Sequence, residues 1–251
     1  MNLMTSKKSW LLAPVICLLF AMLLVVVWAV LDPHTLVINF DNDGHSPVEL
    51  MTLPLFALIV PLVWLCPPVG GSVRRQVFWN IDFSLLGVVA VCREEDLHKA
   101  FCHWMWPDLT QVNFNFKMKF FMNEAVPLSA KVLIFVLYVV VAAAVLTPLI
   151  RYLISLFIEF FRMKPVAWTT ACFGGSAVIS QLMDGLDGKL AKMGISCTDS
   201  TVALFRAFEE GGEMLMALLA LLALLQSHLI FNRQLERTLS VYREVCRCGC
   251  A

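Results

Sequence analysis

The chain has 251 residues, 59% of them hydrophobic and 15% charged, with 19 basic and 19 acidic side chains and a mean hydropathy of +0.77. A soluble domain carries roughly a quarter charged residues, so these figures exclude a water-solvated globular protein, and the absence of net positive charge argues against a nucleic-acid partner. Six of the cysteines are scattered, at Cys17, Cys66, Cys92, Cys102, Cys172 and Cys197, and only Cys246, Cys248 and Cys250 cluster, so no disulfide framework is legible.

A helix needs about 20 apolar residues to cross a ~30 Å hydrocarbon core, because every backbone polar group inside it must be satisfied within the segment. Uncharged runs therefore place the elements. Trp10 to Leu31 is the first, preceded by Lys7 and Lys8, and it is longer than the apolar region of a secretory signal, so an uncleaved anchor is expected. The second run lies between Glu49 and Arg74, and the third, weakened by Asn80 and Asp82, between Arg75 and Arg93. The fourth, Lys131 to Arg151, is followed by a stretch with Glu159 and Arg162 that extends the helix into the headgroups or lies along them. The fifth runs from Lys164 to Asp184, and in it Ala171 and Gly175 form a small-xxx-small pair suited to close helix approach. The sixth runs from Glu213 to Arg233, where Gln226, Ser227 and His228 are suited to interhelical hydrogen bonds.

The fold expected is an all-α polytopic transmembrane bundle of about six helices, forming a single integral membrane domain over residues 1–251. External loops are expected at about 32–48, 93–127 and 184–210, and a cytoplasmic tail at about 233–251. The segment VNFNFKMKF alternates apolar and polar residues, the period of a half-buried strand, and LVINF in the first loop is a pairing partner, so the external cap has room for a β-ribbon. With the N-terminus inside, 11 of the 19 basic residues and 3 of the 19 acidic ones fall on the inner side, leaving the rest of both signs on the outer side. Basic enrichment of cytoplasmic loops then puts both termini in the cytoplasm.

The acidic side holds the candidate site. Glu49 opens the second run; Arg93, Glu94, Glu95, Asp96, His98 and Lys99 close the third; Asp184 and Asp187 close the fifth; Glu209, Glu210 and Glu213 open the sixth. On one continuous helix Glu94 and Glu95 precede His98 by one turn, so carboxylate and imidazole share a face. Two readings stay open. In one, these groups converge on a divalent metal ion, with Glu95, His98, Glu210 and Glu213 as ligands, since carboxylates with an imidazole at this spacing resemble half of a di-iron carboxylate site. In the other they neutralise Arg93, Lys99, Lys189, Lys192 and Arg206, and the macrodipole alone favours acids at the start of the last helix.

Other strings carry less. Asp41-Asn42-Asp43-Gly44 lacks the glutamate that would complete a calcium loop and reads as a turn. Asp187-Gly188-Lys189 resembles the opening of the CDP-alcohol phosphotransferase signature, but only Asp199 follows it. Cys246, Cys248 and Cys250 suit a metal or an acyl chain without a fourth ligand to specify either.

The strings FDNDGHSPVELMT, REEDLHKAF and FEEGGEM, with the stretch leading to VPLSAK, resemble in order those of a group of uncharacterised bacterial multi-pass membrane proteins. The resemblance covers Asp41 to Leu225, implies the same six-helix layout, the same outer cluster and a bacterial inner membrane as the location, and assigns no reaction. The functions consistent with the sequence are binding or transport of a cation or polar envelope solute, a metal-assisted membrane hydrolase or transferase acting on lipid-linked substrates, and a scaffold subunit. The partners expected are the lipid bilayer and other membrane proteins or further copies of the chain.

Overall fold

The computed structural model describes residues 8–40, 46–66, 72–95, 97–107 and 118–248, with side chains as far as Asn232 except those of residues 98, 118, 119, 148 and 149. Each of the six apolar runs forms one long helix. After a 3-10 turn at Ser9–Leu11 these are α1 (Leu12–Val30), α3 (Pro47–Leu65), α4 (Val73–Glu94), α7 (Leu128–Phe161), α8 (Pro165–Met183) and α10 (Asp199–Cys248). Short helices join them: α2 (Pro33–Phe40), α5 (Leu97–Met105), α6 (Met118–Met122) and α9 (Leu186–Lys192).

The described residues contain no strand, which corrects two expectations. LVINF lies in α2, where Asp32 accepts from the Thr35 N–H at 3.0 Å and Asn39 donates to the Thr35 carbonyl at 2.7 Å. The Thr35 bonds also hold the exposed Asp32 carboxyl below its usual range. Met118–Met122 is helical, and the remainder of the alternating segment, 112–117, lies outside the described residues, as does the Asp41–Gly44 turn. Period-two alternation in a short segment fixes neither state when local helix bonds are available.

Five of the six long helices are long and apolar enough to cross a membrane, α8 being the exception. Its polar residues lower its apolarity: Thr169, Ser176 and Ser180 are buried against the bundle, whereas Thr170 is half-buried and Gln181 exposed. Helix α7 continues through Pro148 for 34 residues. At 1.5 Å per residue that is about 50 Å, well beyond a ~30 Å core, so the stretch with Glu159 and Arg162 extends the helix as expected.

Helix α10 is the central element, packed by α8, α3, α2 and α1. Two glycines of FEEGGEM make this possible. A Cβ at Gly211 would lie 2.9 Å from both Leu24 methyls on α1, and one at Gly212 would lie 3.1 Å from the Ser180 Cβ on α8. By contrast Gly175 has nothing within 4 Å, so the expected Ala171/Gly175 pair is not a packing seam; the close approach on α8 is made one face round, by Ser176 and Ser180. Gly87 similarly admits Ile59 and Val60 of α3 to α4.

Between α8 and α10 the Thr169 hydroxyl donates to the fully buried Gln226 Oε1 at 2.7 Å. His228 instead meets Asn232 of its own helix at 2.9 Å, so of the polar residues expected to bridge helices Gln226 does so in place of His228. Thr169→Val should destabilise the fold by about 1 kcal/mol, as membrane-interior hydrogen bonds are modest and the amide oxygen is left unpaired. Thr169→Val with Gln226→Leu should cost less than Thr169→Val alone, which a detergent unfolding series would measure.

The alternation of helix direction brings the ends of α1, α4 and α8 and the starts of α3 and α10 to one end of the bundle. The Trp28 indole donates to the Ser200 carbonyl at 2.9 Å there. The other end is aromatic and basic: Trp10 and Phe160 both pack on Trp168, at 4.9 and 4.3 Å between centroids, and Tyr152 meets Trp79 at 5.0 Å and the Arg75 guanidinium at 3.4 Å.

Candidate functional site

Three carboxyls meet at the acidic end. Glu94 from the last turn of α4 and Glu210 and Glu213 from α10 each place an oxygen within 4.8 Å of the others. Glu210 and Glu213 are one turn apart on α10, and Gly211 and Gly212 between them let α1 and α8 close on either side. Glu213 is 6% exposed. Its Oε1 accepts from the Arg93 guanidinium and from the Ser180 hydroxyl, the latter at 3.3 Å. The buried Oε1 of Glu94 has no hydrogen-bond partner.

The charge balance of this group is unfavourable as it stands. At an effective dielectric of about 20, two unit charges 4.8 Å apart repel by about 3.5 kcal/mol. Among the described side chains Arg93 pairs with Glu213, and bound protons or further positive charge would relieve the repulsion among the three carboxyls.

The surrounding acids have their own assignments. Glu49 closes a capping box on α3: Ser46 Oγ accepts from the Glu49 N–H at 3.1 Å and Glu49 Oε2 from the Ser46 N–H at 2.9 Å, while the buried Ser46 hydroxyl donates to the Phe40 carbonyl. This fixes the Glu49 carboxylate near enough for its charge to act on Glu94 and Glu210. Glu209 pairs with Arg206 at 3.2 Å along α10. Asp184 ends α8, with its carboxylate accepting from Gln181 at 3.2 Å and its carbonyl from Lys189 at 2.7 Å, and Asp187 stands half-buried in the first turn of α9.

The largest departure from expectation is at REEDLHKAF. Helix α4 stops at Glu94, Glu95 is its C-cap, and α5 begins at Leu97, so Glu95 and His98 do not share the face of one continuous helix. Glu95 is exposed and outside the carboxyl group, whose third member is Glu94. Asp96 lies outside the described residues and so does the His98 side chain; Lys99 is half-buried on α5. The cluster thus contains Glu94, Glu210 and Glu213 of the expected residues, with Arg93 as counter-charge. Ser180 and the glycine pair were missed. Both were legible only as small residues, and nothing in their spacing says which neighbour they admit.

A carboxyl group of this kind suits a hard cation, for which carboxylate oxygens are the usual protein ligands, better than the thiolate- or imidazole-rich sets of softer metals. The fold and the cluster together define an all-α helical bundle, fitted to a membrane by its apolar helices, with a group of three carboxyls at one end, Glu213 buried and Glu94 and Glu210 half-buried. No family model, curated protein or solved structure matches the chain.

Proposed function

We propose that the chain is an integral membrane protein that binds a cation at the Glu94, Glu210 and Glu213 group, as the loading step of transport or of solute binding from the outer side. The observation that carries this reading is the set of three carboxyls with oxygens within 4.8 Å of one another, of which Glu213 is paired with Arg93. Ionisable groups facing the interior of a membrane bundle are costly and persist where they are paired or serve a pathway. An outward orientation is supported by the basic residues at the opposite end, which are enriched at a cytoplasmic boundary, and the reading places the chain in a bacterial inner membrane.

The test uses the purified full chain in bilayer nanodiscs, titrated separately with sodium, calcium and manganese. One of these ions should raise the melting temperature saturably, by an amount corresponding to about 2.7 kcal/mol when the ion is at 100 times its Kd. Glu94→Gln combined with Glu210→Gln should abolish that rise while leaving the helical content intact. Melting that none of the three ions shifts in the native chain would overturn the reading.

A further inference from the structure

Helix α7 is longer than a bilayer needs, and two contacts fix where the surplus goes. Tyr152 meets Trp79 at 5.0 Å and the Arg75 guanidinium at 3.4 Å, both in the first two turns of α4. Further on, the Phe160 ring stacks on Trp168 at 4.3 Å and its carbonyl accepts from the Trp168 indole at 3.0 Å, in the first turn of α8. The starts of α4 and α8 lie at the same end of the bundle. Tyr152 and Phe160 are roughly 12 Å apart along the helix. The stretch between them therefore runs along the rim of that end, from α4 to α8, instead of projecting away from it.

At about 100° per residue the stretch has three faces. Tyr152, Leu156 and Phe160 are half-buried on the side toward the bundle. Arg151, Ser155, Glu159 and Arg162 form a polar face. Ile150, Leu153, Ile154, Phe157, Ile158 and Phe161 form an apolar one, each 45% to 74% exposed. In water the apolar stripe would stay unsatisfied, and in hydrocarbon the polar face would; the boundary between the two satisfies both. The stripe also continues the side of α7 on which Val139 and Leu146 are exposed within the membrane-crossing part. Its occupant is thus the lipid that already covers α7. Charge selects among lipids: Arg151, Arg162 and Lys164 are exposed, against a half-buried Glu159.

We propose that residues 150–162 of α7 are a membrane-surface helix that binds anionic lipid headgroups in the leaflet at the basic end of the bundle. The apolar stripe sits among the first acyl carbons and the basic side chains reach the phosphates. This inference is independent of the cation site at the other end and rests only on the chain crossing a bilayer. Just before the stretch the helix is loosened, since Pro148 has no N–H to donate and the Thr147 hydroxyl donates to the Ala143 carbonyl at 2.7 Å.

For the test, the full chain carries the photoreactive p-benzoylphenylalanine in place of Val139, Ser155 or Phe157, all three exposed. It is irradiated in nanodiscs of equal phosphatidylcholine and phosphatidylglycerol and weighed intact. Lipid adducts are expected from positions 139 and 157 and not from 155. At 157 the phosphatidylglycerol adduct should exceed the phosphatidylcholine one at least about fivefold, the ratio that a single basic residue near the surface supplies. Arg151→Gln with Arg162→Gln should bring that ratio towards parity and keep the adduct. A cross-link from 157 to a second copy, equal lipid adducts at 155 and 157, or no excess of phosphatidylglycerol would each overturn the proposal. Loss of the adduct at 157 alone would overturn it and leave the membrane-crossing reading standing, whereas loss at both 139 and 157 would sink that reading and the proposal with it.

Discussion

Arg93→Ala is expected to lower the unfolding free energy by about 2 to 3 kcal/mol, the size being set by the unequal burial of the pair. Removing one partner of a fully buried ion pair costs about 3 to 5 kcal/mol, whereas an exposed pair is worth under about 1. The Glu213 side chain is 8% exposed and that of Arg93 64%, so the carboxyl is left uncompensated inside while the departing guanidinium was partly solvated. Two further carboxyls within 4.8 Å deepen the loss. Arg93→Ala with Glu213→Gln should recover most of it, since a neutral amide keeps a partner in Ser180 without needing a counter-charge. Chemical unfolding of the two variants and the native chain forms the necessary cycle. A loss under about 0.5 kcal/mol for Arg93→Ala would mean that the pair acts as a surface contact.

Gly212→Leu should be at least as damaging, at about 3 kcal/mol or more. Already the first added carbon would stand 3.1 Å from the Ser180 Cβ and 3.6 Å from the Ser176 carbonyl oxygen, neither of which can rotate away. Relief requires α8 to move off α10. That movement would break the Ser180 bond to Glu213 and strain the Thr169 bond to Gln226, so the carboxyl group loses a donor as well. Gly211→Ala is milder, because its neighbours are the mobile ends of Leu24. Gly174→Leu and Gly175→Leu, with open space around both, should stay within about 0.5 kcal/mol of the native chain. If Gly175→Leu were the damaging change and Gly212→Leu the silent one, the packing of α8 on α10 would be on the wrong face.

Taken alone, the amino-acid order determined where the long helices lie and which end of the bundle gathers the acids. Both follow from sums over local sequence: the transfer of some 20 apolar side chains, and the alternation of direction that six such runs impose. Period-two patterning failed at LVINF and at Met118–Met122 because over short segments it competes with local helix bonds, and α2 shows the helix winning with Asp32 capping its first turn.

Only tertiary structure decided which glutamates meet. Glu94 and Glu95 are adjacent and chemically alike, but α4 ends between them, so Glu94 turns to α10 while Glu95 remains exposed. The same holds for glycines 175 and 212. In each case the residue types are visible in the sequence, whereas their partners are set by the rotation of one helix about its axis against another. That rotation depends on side chains from several helices packed together, and no single segment contains it.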